Sequence, residues 1–260
     1  MELQLKFGLR RGNSLPVNYQ YELSSWIYKV IQRADHEYST FLHEKGFSVD
    51  GRNFKMFTFS QLDLRPYKIS GNQIRLLGKE ILLNIRFLID SSLDHFIKGL
   101  FMEQCFSLGD RNTVVDFEVS SVETIAPPLF KSVMQYQCLS PICVSRRRPD
   151  DSAEYVSPED PGFGALLVQN LQRKAKALVS ITGDKEQAAS DFKFRLLNTP
   201  RKKGIHIKAD TAQHTQVIGY LFHFELSAPL ELHEIGYFAG FGEKNSMGFG
   251  TVTRINGWLD

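Results

Sequence analysis

Hydrophobic and polar positions alternate along this chain in two registers that repeatedly replace one another, a period near two giving way to one near 3.6. Met1-Glu2-Leu3-Gln4-Leu5-Lys6 alternates as a strand does. Leu23, Trp26, Ile27, Val30 and Ile31 then fall at i, i+3, i+4, i+7 and i+8, one apolar stripe of a helix predicted over residues 19–33. Phe57 and Phe59 alternate again, Ile81 to Ile89 is apolar enough for a buried strand, and Phe96, Ile97, Leu100 and Phe101 mark a second helix. Val115, Phe117 and Val119 alternate in a closing strand. The order is strand, helix, strand, strand, helix, strand.

Pro127-Pro128 follows, which cannot continue a strand's hydrogen bonding, so a boundary is expected there, with one domain over residues 1–126 and another over 127–260. The second half repeats the order. Gln135 to Val144 reads as a strand and Gly164 to Leu178 as a helix; Phe192, Phe194 and Leu196 alternate, as do Ile218, Tyr220, Phe222, Phe224 and Leu226. Leu232, Ile235 and Phe238 are helically spaced, a final strand ends the pattern, and Arg146 to Pro161 is a surface insertion. The predicted fold is α+β, two ferredoxin-like (RRM-like) βαββαβ domains in tandem.

Composition changes this picture little. Hydrophobic residues make up 42% of the 260 and charged residues 23%, ordinary for a soluble globular protein. No apolar run approaches the ~20 residues that span a bilayer, and the N-terminus lacks the apolar core of a signal peptide, so a cytoplasmic protein without membrane partners is expected. The cysteines, Cys105, Cys138 and Cys143, stand in unrelated contexts and predict buried or inert thiols rather than a disulfide or zinc framework. A net charge of +2 is uninformative, but its distribution is not: no acidic residue falls between Phe192 and Ile207, where Lys193, Arg195, Arg201, Lys202 and Lys203 lie, and Arg146-Arg147-Arg148 forms a second cluster.

Five glycines fall between Gly236 and Gly250 around a Lys244-Asn245-Ser246 core. This predicts a loop whose backbone comes very close to a partner, expected to be an anion. No Gly-Lys-Ser or Gly-Lys-Thr occurs, which excludes a Walker A loop, and Gly240-x-Gly242 leads to a strand rather than a helix, which argues against a dinucleotide site. Gly248-Phe249-Gly250-Thr251-Val252-Thr253 shares part of the RRM octamer but lacks aromatics at 251 and 253 for base stacking. The run Gly240-x-Gly-Glu-Lys-Asn-Ser-Met-Gly-Phe-Gly250 closely resembles the glycine-rich signature of the RAMP superfamily of CRISPR-associated proteins, in particular its pre-crRNA-processing endoribonuclease, the sixth numbered Cas family. Leu15 to Tyr21, Trp26-Ile27-Tyr28, Phe41-Leu42-His43-Glu44 and Lys55 to Ser60 look like that family's N-terminal half, so the resemblance covers nearly the whole chain.

RNA cleavage by transesterification needs no metal, because the substrate's 2′-hydroxyl is the nucleophile. The protein must take that proton, protonate the departing 5′-oxygen and stabilise charge on the pentacoordinate phosphorus. Histidine, with an unperturbed pKa of ~6.5, suits the first task. His206 and His223 lie on alternating strands, His95 in a helical turn, and His36, His214 and His233 have no evident partner. His43, just after the first helical segment and before a flexible Gly46–Gly51 stretch, matches the family's catalytic histidine, and the resemblance makes Tyr28 and Lys55 the other members of its triad. At ~100° per residue Tyr28 lies roughly 130° from the centre of the helix's apolar stripe, which points its hydroxyl away from the core. Alternation puts Lys55 on the side of Phe57 and Phe59, where it suits the mouth of the strand and could hold the phosphorane charge.

The expected RNA-binding surface is a basic hairpin. In it, Lys193 and Arg195 share one face of a strand, His206 and Lys208 share a face of the next, and Arg201-Lys202-Lys203 join them at the turn. Gly240, Gly242, Lys244, Asn245, Ser246 and Gly248 would hold another part of the RNA backbone. The resemblance implies a metal-independent endoribonuclease that cleaves CRISPR repeat RNA in precursor transcripts, leaving a 2′,3′-cyclic phosphate and a 5′-hydroxyl. It implies no cofactor, and as partners the repeat RNA and other effector-complex proteins, with the enzyme a monomer or homodimer. The alternatives are a non-catalytic RAMP protein that scaffolds guide RNA, which the full Tyr28, His43 and Lys55 set argues against, and an acylphosphatase-like small-molecule enzyme, which the duplication argues against.

Overall fold

The computed structural model describes residues 1–110, 112–182, 192–207 and 214–255. Its first half contains β1 (Glu2–Arg11), β2 (Ser14–Pro16), α1 (Gln20–Ala34), α2 (His36–Glu44), β3 (Phe47–Val49), β4 (Arg52–Phe54) and β5 (Phe57–Phe59). It continues with β6 (Tyr67–Ser70), β7 (Gln73–Leu76), β8 (Glu80–Phe87), α3 (Asp90–Met102), β9 (Cys105–Gly109) and β10 (Val114–Ile125). The second half contains β11 (Val133–Cys138), β12 (Ser145–Arg147), β13 (Ala153–Tyr155), α4 (Phe163–Thr182), β14 (Lys193–Leu196) and β15 (Arg201–Ile207). After it come β16 (Thr215–Leu221), β17 (His223–Ser227), α5 (Leu230–Ala239), a 3-10 turn (Asn245–Met247) and β18 (Val252–Arg254).

The antiparallel sheet of the first half runs β5-β8-β1-β10-β9, and that of the second runs β14-β17-β11-β18. With β9 set aside, the two orders are the same permutation: the second, third, first and fourth strands of a βαββαβ unit, as in a ferredoxin-like fold. The duplication read from the periodicity is therefore repeated in the strand pairing. No described helix is long and apolar enough to cross a membrane.

The α1 stripe packs as its spacing requires. Leu23, Ile27, Val30 and Ile31 are fully buried, and Trp26 stacks on Phe106 with ring centroids 4.2 Å apart while meeting Phe7 edge-on. The Thr58 face of β5 is not exposed, as a half-buried strand would leave it. Phe57 and Phe59 enter the first core, while the Thr58 hydroxyl lies 2.7 Å from that of Thr251 and donates to the Phe249 carbonyl at 3.0 Å. The C-terminal segment covers this strand.

A second contact between the halves is buried. Arg86 on β8 donates to the Val252 carbonyl at 2.6 Å and to Glu2 at 2.9 Å, with its guanidinium 3.6 Å from the Tyr237 ring centroid; the Tyr237 hydroxyl closes the set on Glu2 at 2.6 Å.

Several sequence expectations are corrected. The alternating run from Ile218 to Leu226 is two strands, β16 and β17, in different sheets; buried Val217 and Gly219 give way to buried Phe222, Phe224 and Leu226, so the inward phase flips near Leu221. Phe101 lies 67% exposed rather than on the buried face of α3. Gly46–Gly51 is not an irregular stretch: it carries β3 and the turn of the β3–β4 hairpin, in which Phe47 pairs with Phe54. The Arg146 to Pro161 insertion carries the β12–β13 hairpin, where Arg146 pairs with Glu154 and Asp160, Arg147 with Asp151, and Arg148 with Glu154, so this basic cluster is neutralised internally.

Candidate active site at the junction of the two halves

Helix α1 presents a second face beside its core stripe. Tyr21, Ser24 and Tyr28, spaced i, i+3 and i+7, point to the glycine-rich loop: Tyr21 packs against the small apolar cluster that includes Phe249, and the Ser24 hydroxyl donates to the Ser246 carbonyl at 2.6 Å. Tyr28 is half-buried, not free of the core as its helical angle suggested. Its ring meets His43 edge-on at 5.2 Å and Phe57 at 5.6 Å. Burial pushes its hydroxyl up to about 12, opposed by an interaction with the Ser246 side chain.

His43 sits in the last turn of α2, a helix the periodicity did not reveal. Asp35 makes the corner: its amide closes α1 on the Ile31 carbonyl at 3.0 Å, while its carboxylate caps α2 by accepting from the Tyr38 amide at 2.8 Å. Gly46 ends the helix with φ +61°, donating to the Phe41 carbonyl at 2.7 Å. A Cβ there would fall 2.4 Å from the Phe54 carbonyl and 3.0 Å from Lys55 Cδ, so only glycine lets the following strand return close enough to bring Lys55 to His43. Lys55 Nζ donates to the His43 carbonyl at 2.8 Å. It precedes β5 rather than standing on it, because Met56, at φ 54°, breaks the alternation. Burial lowers its pKa from the ordinary lysine value.

The three residues therefore converge although they come from α1, α2 and the β4–β5 connection. Lys55 also lines a cleft of about 340 Å³, together with Arg52, Asn53, Asn170, Lys174 and Ser246. Its far wall is the glycine-rich loop.

Those glycines serve a different purpose from the one expected. Gly240, Gly242 and Gly248 are buried, and a Cβ on them would lie 2.4 Å from Asn245 Nδ2, 2.3 Å from the Cys143 carbonyl and 2.8 Å from the Phe59 ring. The close approach is to the protein itself. What faces outward is Lys244, exposed and left-handed at φ 59°, with half-buried Ser246 near it, whereas the Asn245 side chain, expected to hold RNA, turns inward to Lys174 and to the Phe241 and Phe249 carbonyls. The loop is held from behind by Lys174 of α4, a residue that the sequence reading missed. Lys174 is fully buried and donates to the carbonyls of Gly240 and Gly242 at 2.6 and 3.0 Å and to Asn245 Oδ1 at 2.8 Å. The sequence did carry a signal: Asn170 and Lys174 stand in the stripe of Phe163, Leu167, Leu171 and Ala177, where an apolar residue is the ordinary choice.

The basic hairpin is not built as expected. β14 pairs with β17, and β15 pairs with β16, with Arg201 opposite Leu221 and His206 opposite Gln216. Arg201, Lys202 and Lys203 thus start a strand rather than form a turn. Arg195 is committed to Glu225, its Nη2 2.9 Å from the carboxylate. Lys193 is exposed on the same edge strand, His206 Nδ1 lies 2.7 Å from His214 Nε2, and Lys208 falls outside the described residues. The β15–β16 ribbon still adjoins the site: Ile205, Ile207 and Val217 pack with Phe249. Among the described residues no three His, Cys, Asp or Glu side chains converge as metal ligands would.

Two halves of one family match this chain. Residues 14–123 match CRISPR-associated protein Cas6, N-terminal, and residues 125–253 match CRISPR associated protein Cas6, C-terminal. The chain is 28% identical to the CRISPR-associated endoribonuclease Cas6 1 of Methanocaldococcus jannaschii over 98% of its length and 93% of the relative's. It is 28% identical to the CRISPR-associated endoribonuclease Cas6 of Pyrococcus furiosus over 93% and 84%. A solved structure of a Cas6-related protein from Pyrococcus furiosus superposes with a TM-score of 0.80 at 24% identity, covering 98% of both chains, which bears on the fold. The chain belongs to the Cas6 family of CRISPR-associated proteins.

Proposed function

We propose that this chain is an endoribonuclease that cuts CRISPR repeat RNA in precursor transcripts, releasing guide RNAs by attack of the 2′-hydroxyl on the adjacent phosphate. The observation that carries this reading is the convergence of Tyr28 and Lys55 on His43, with the Tyr28 ring 5.2 Å from the His43 ring and Lys55 Nζ on the His43 carbonyl. His43, exposed at the end of α2, takes the 2′-hydroxyl proton. Lys55 places positive charge beside the phosphorane oxygens. Tyr28 keeps its proton throughout the neutral range and so acts as a donor, toward the departing 5′-oxygen. Lys244 and Ser246 on the loop, with Arg201, Lys202 and Lys203 on the adjoining ribbon, hold the RNA backbone. We place the boundary between the two domains at 126/127, in the strand-free stretch between β10 and β11.

Because the substrate supplies its own nucleophile, cleavage needs no metal. The test is incubation of the purified protein with repeat RNA in excess EDTA, followed by analysis of product ends. A 2′,3′-cyclic phosphate and a 5′-hydroxyl formed at an undiminished rate are expected; a requirement for Mg²⁺ or Mn²⁺ overturns the mechanism.

A further inference from the structure

We propose that Lys174 is a positioning residue that sets the shape of the glycine-rich loop and, through the loop, the placement of Ser246 beside Tyr28. Its consequence for cutting rests on the ribonuclease reading above; the clamp itself does not.

An ammonium has three protons, and here each has its own acceptor: Gly240 O, Gly242 O and Asn245 Oδ1. Lys174 therefore has no donor left for a ligand, which separates its role from that of Lys55 across the same cleft. The acceptors are chosen for their leverage. Gly240 follows the last residue of α5, where carbonyls lack helical partners and a cation is favoured. Asn245 passes the restraint on, since its Nδ2 donates to the Phe241 and Phe249 carbonyls, each at 3.1 Å, and so ties the two arms of the loop together. The next residue, Ser246, is bound through its carbonyl to Ser24 on α1. A continuous path thus runs from α4 of the second half, through the loop, to the helix of the first half that carries Tyr28.

The environment works against the charge, and the three hydrogen bonds offset it. Burial pushes the Lys174 pKa down to about 7, with the Glu243 carboxylate opposing. Charged groups on the surrounding cleft wall are Glu243 and Lys244 of the loop and Arg52 and Lys55 of the first half, and the Phe54 ring centroid lies 6.0 Å from Lys174 Nζ. Such a group is retained only where its hydrogen bonds are complete, and removing it leaves three oxygens unpaired in a dry place.

The test compares wild type with Lys174→Met, which keeps the length of the side chain and loses its donors. Hydrogen exchange read by mass spectrometry should accelerate in the peptide from Phe241 to Gly250, whose amides at 241, 243, 247, 248 and 250 are hydrogen-bonded in the structure, while exchange in β1 and β8 stays unchanged. Single-turnover cleavage of repeat RNA should fall on the order of 10- to 100-fold, more than the affinity for an uncleavable 2′-deoxy repeat does, as expected when catalytic groups are misplaced rather than removed. Lys174→Gln, which keeps two donors, should lie between the two, and it substitutes for Lys174→Met should the latter not fold. Unchanged loop exchange, or acceleration spread over the whole chain, overturns the proposal. If wild-type protein leaves repeat RNA intact, the ribonuclease reading fails instead, and the exchange result still decides the clamp.

Discussion

Lys55 Nζ and the His43 carbonyl are joined by a 2.8 Å hydrogen bond, so one side chain of the site holds the backbone of another. Lys55 accordingly has two separable effects, fixing the end of α2 and supplying charge. Lys55→Met, which keeps the stem and removes both, is expected to lower the single-turnover rate by roughly 10²- to 10³-fold, the range for loss of one transition-state donor. Lys55→Arg should recover part of that rate, because a cation returns to the site. Equal rates for the two variants would show that the charge is immaterial.

His43 is the test of chemistry against binding. His43→Ala is expected to slow cleavage by ~10²- to 10⁴-fold while leaving repeat-RNA affinity within a small factor. A single 2′-deoxy nucleotide immediately 5′ of the scissile phosphate should bind wild-type protein and stay uncut. Cleavage of that substrate would discard 2′-hydroxyl attack altogether.

Tyr28 gives a prediction in pH. A phenol pushed up to about 12 stays protonated throughout the neutral range, so it can donate a hydrogen bond but cannot serve as a base near neutrality. Tyr28→Phe should lower the single-turnover rate without changing the shape of its pH profile between pH 5 and 9. A titration step in that window that disappears in Tyr28→Phe would assign Tyr28 the base role.

The ribbon residues should affect affinity alone. Reversing charge at Arg201, Lys202 and Lys203 takes up to three cations away from the RNA backbone, and each cation removed should reduce the slope of log affinity against log salt by ~0.7 to 0.9. An unchanged slope would place the RNA elsewhere.

The tandem fold was legible because each half buries a stripe or an alternating face, as α1 and β10 do, and both signals are local. What failed was whatever depended on pairing. Ile218 to Leu226 keeps its alternation on paper although a phase flip at Leu221 sends its ends to different sheets, and Lys193 to Lys208 looked like one hairpin because sequence adjacency does not reveal that β14 and β15 each bond elsewhere. His43, Tyr28 and Lys55 were found through motif resemblance rather than periodicity, and their convergence depends on Asp35 and Gly46, which turn the chain between them. Lys174 was overlooked because a lysine in a helix is ordinarily counted as surface, and its three acceptors lie 66 to 71 residues away.

The Arg86 knot bears on how this chain could be divided. Arg86 takes one partner from its own half, Glu2, and two from the other, the Val252 carbonyl and the Tyr237 ring. A fragment ending near residue 125, where the two family matches meet, would leave a guanidinium and a carboxylate without those neighbours. The Arg86–Glu2 pair itself would survive such a cut, but it would lose the Val252 carbonyl, the Tyr237 ring and the Tyr237 hydroxyl that complete its buried surroundings. The repeat that is so visible in the strand order is thus not a pair of interchangeable modules: each copy supplies groups that complete buried contacts of the other.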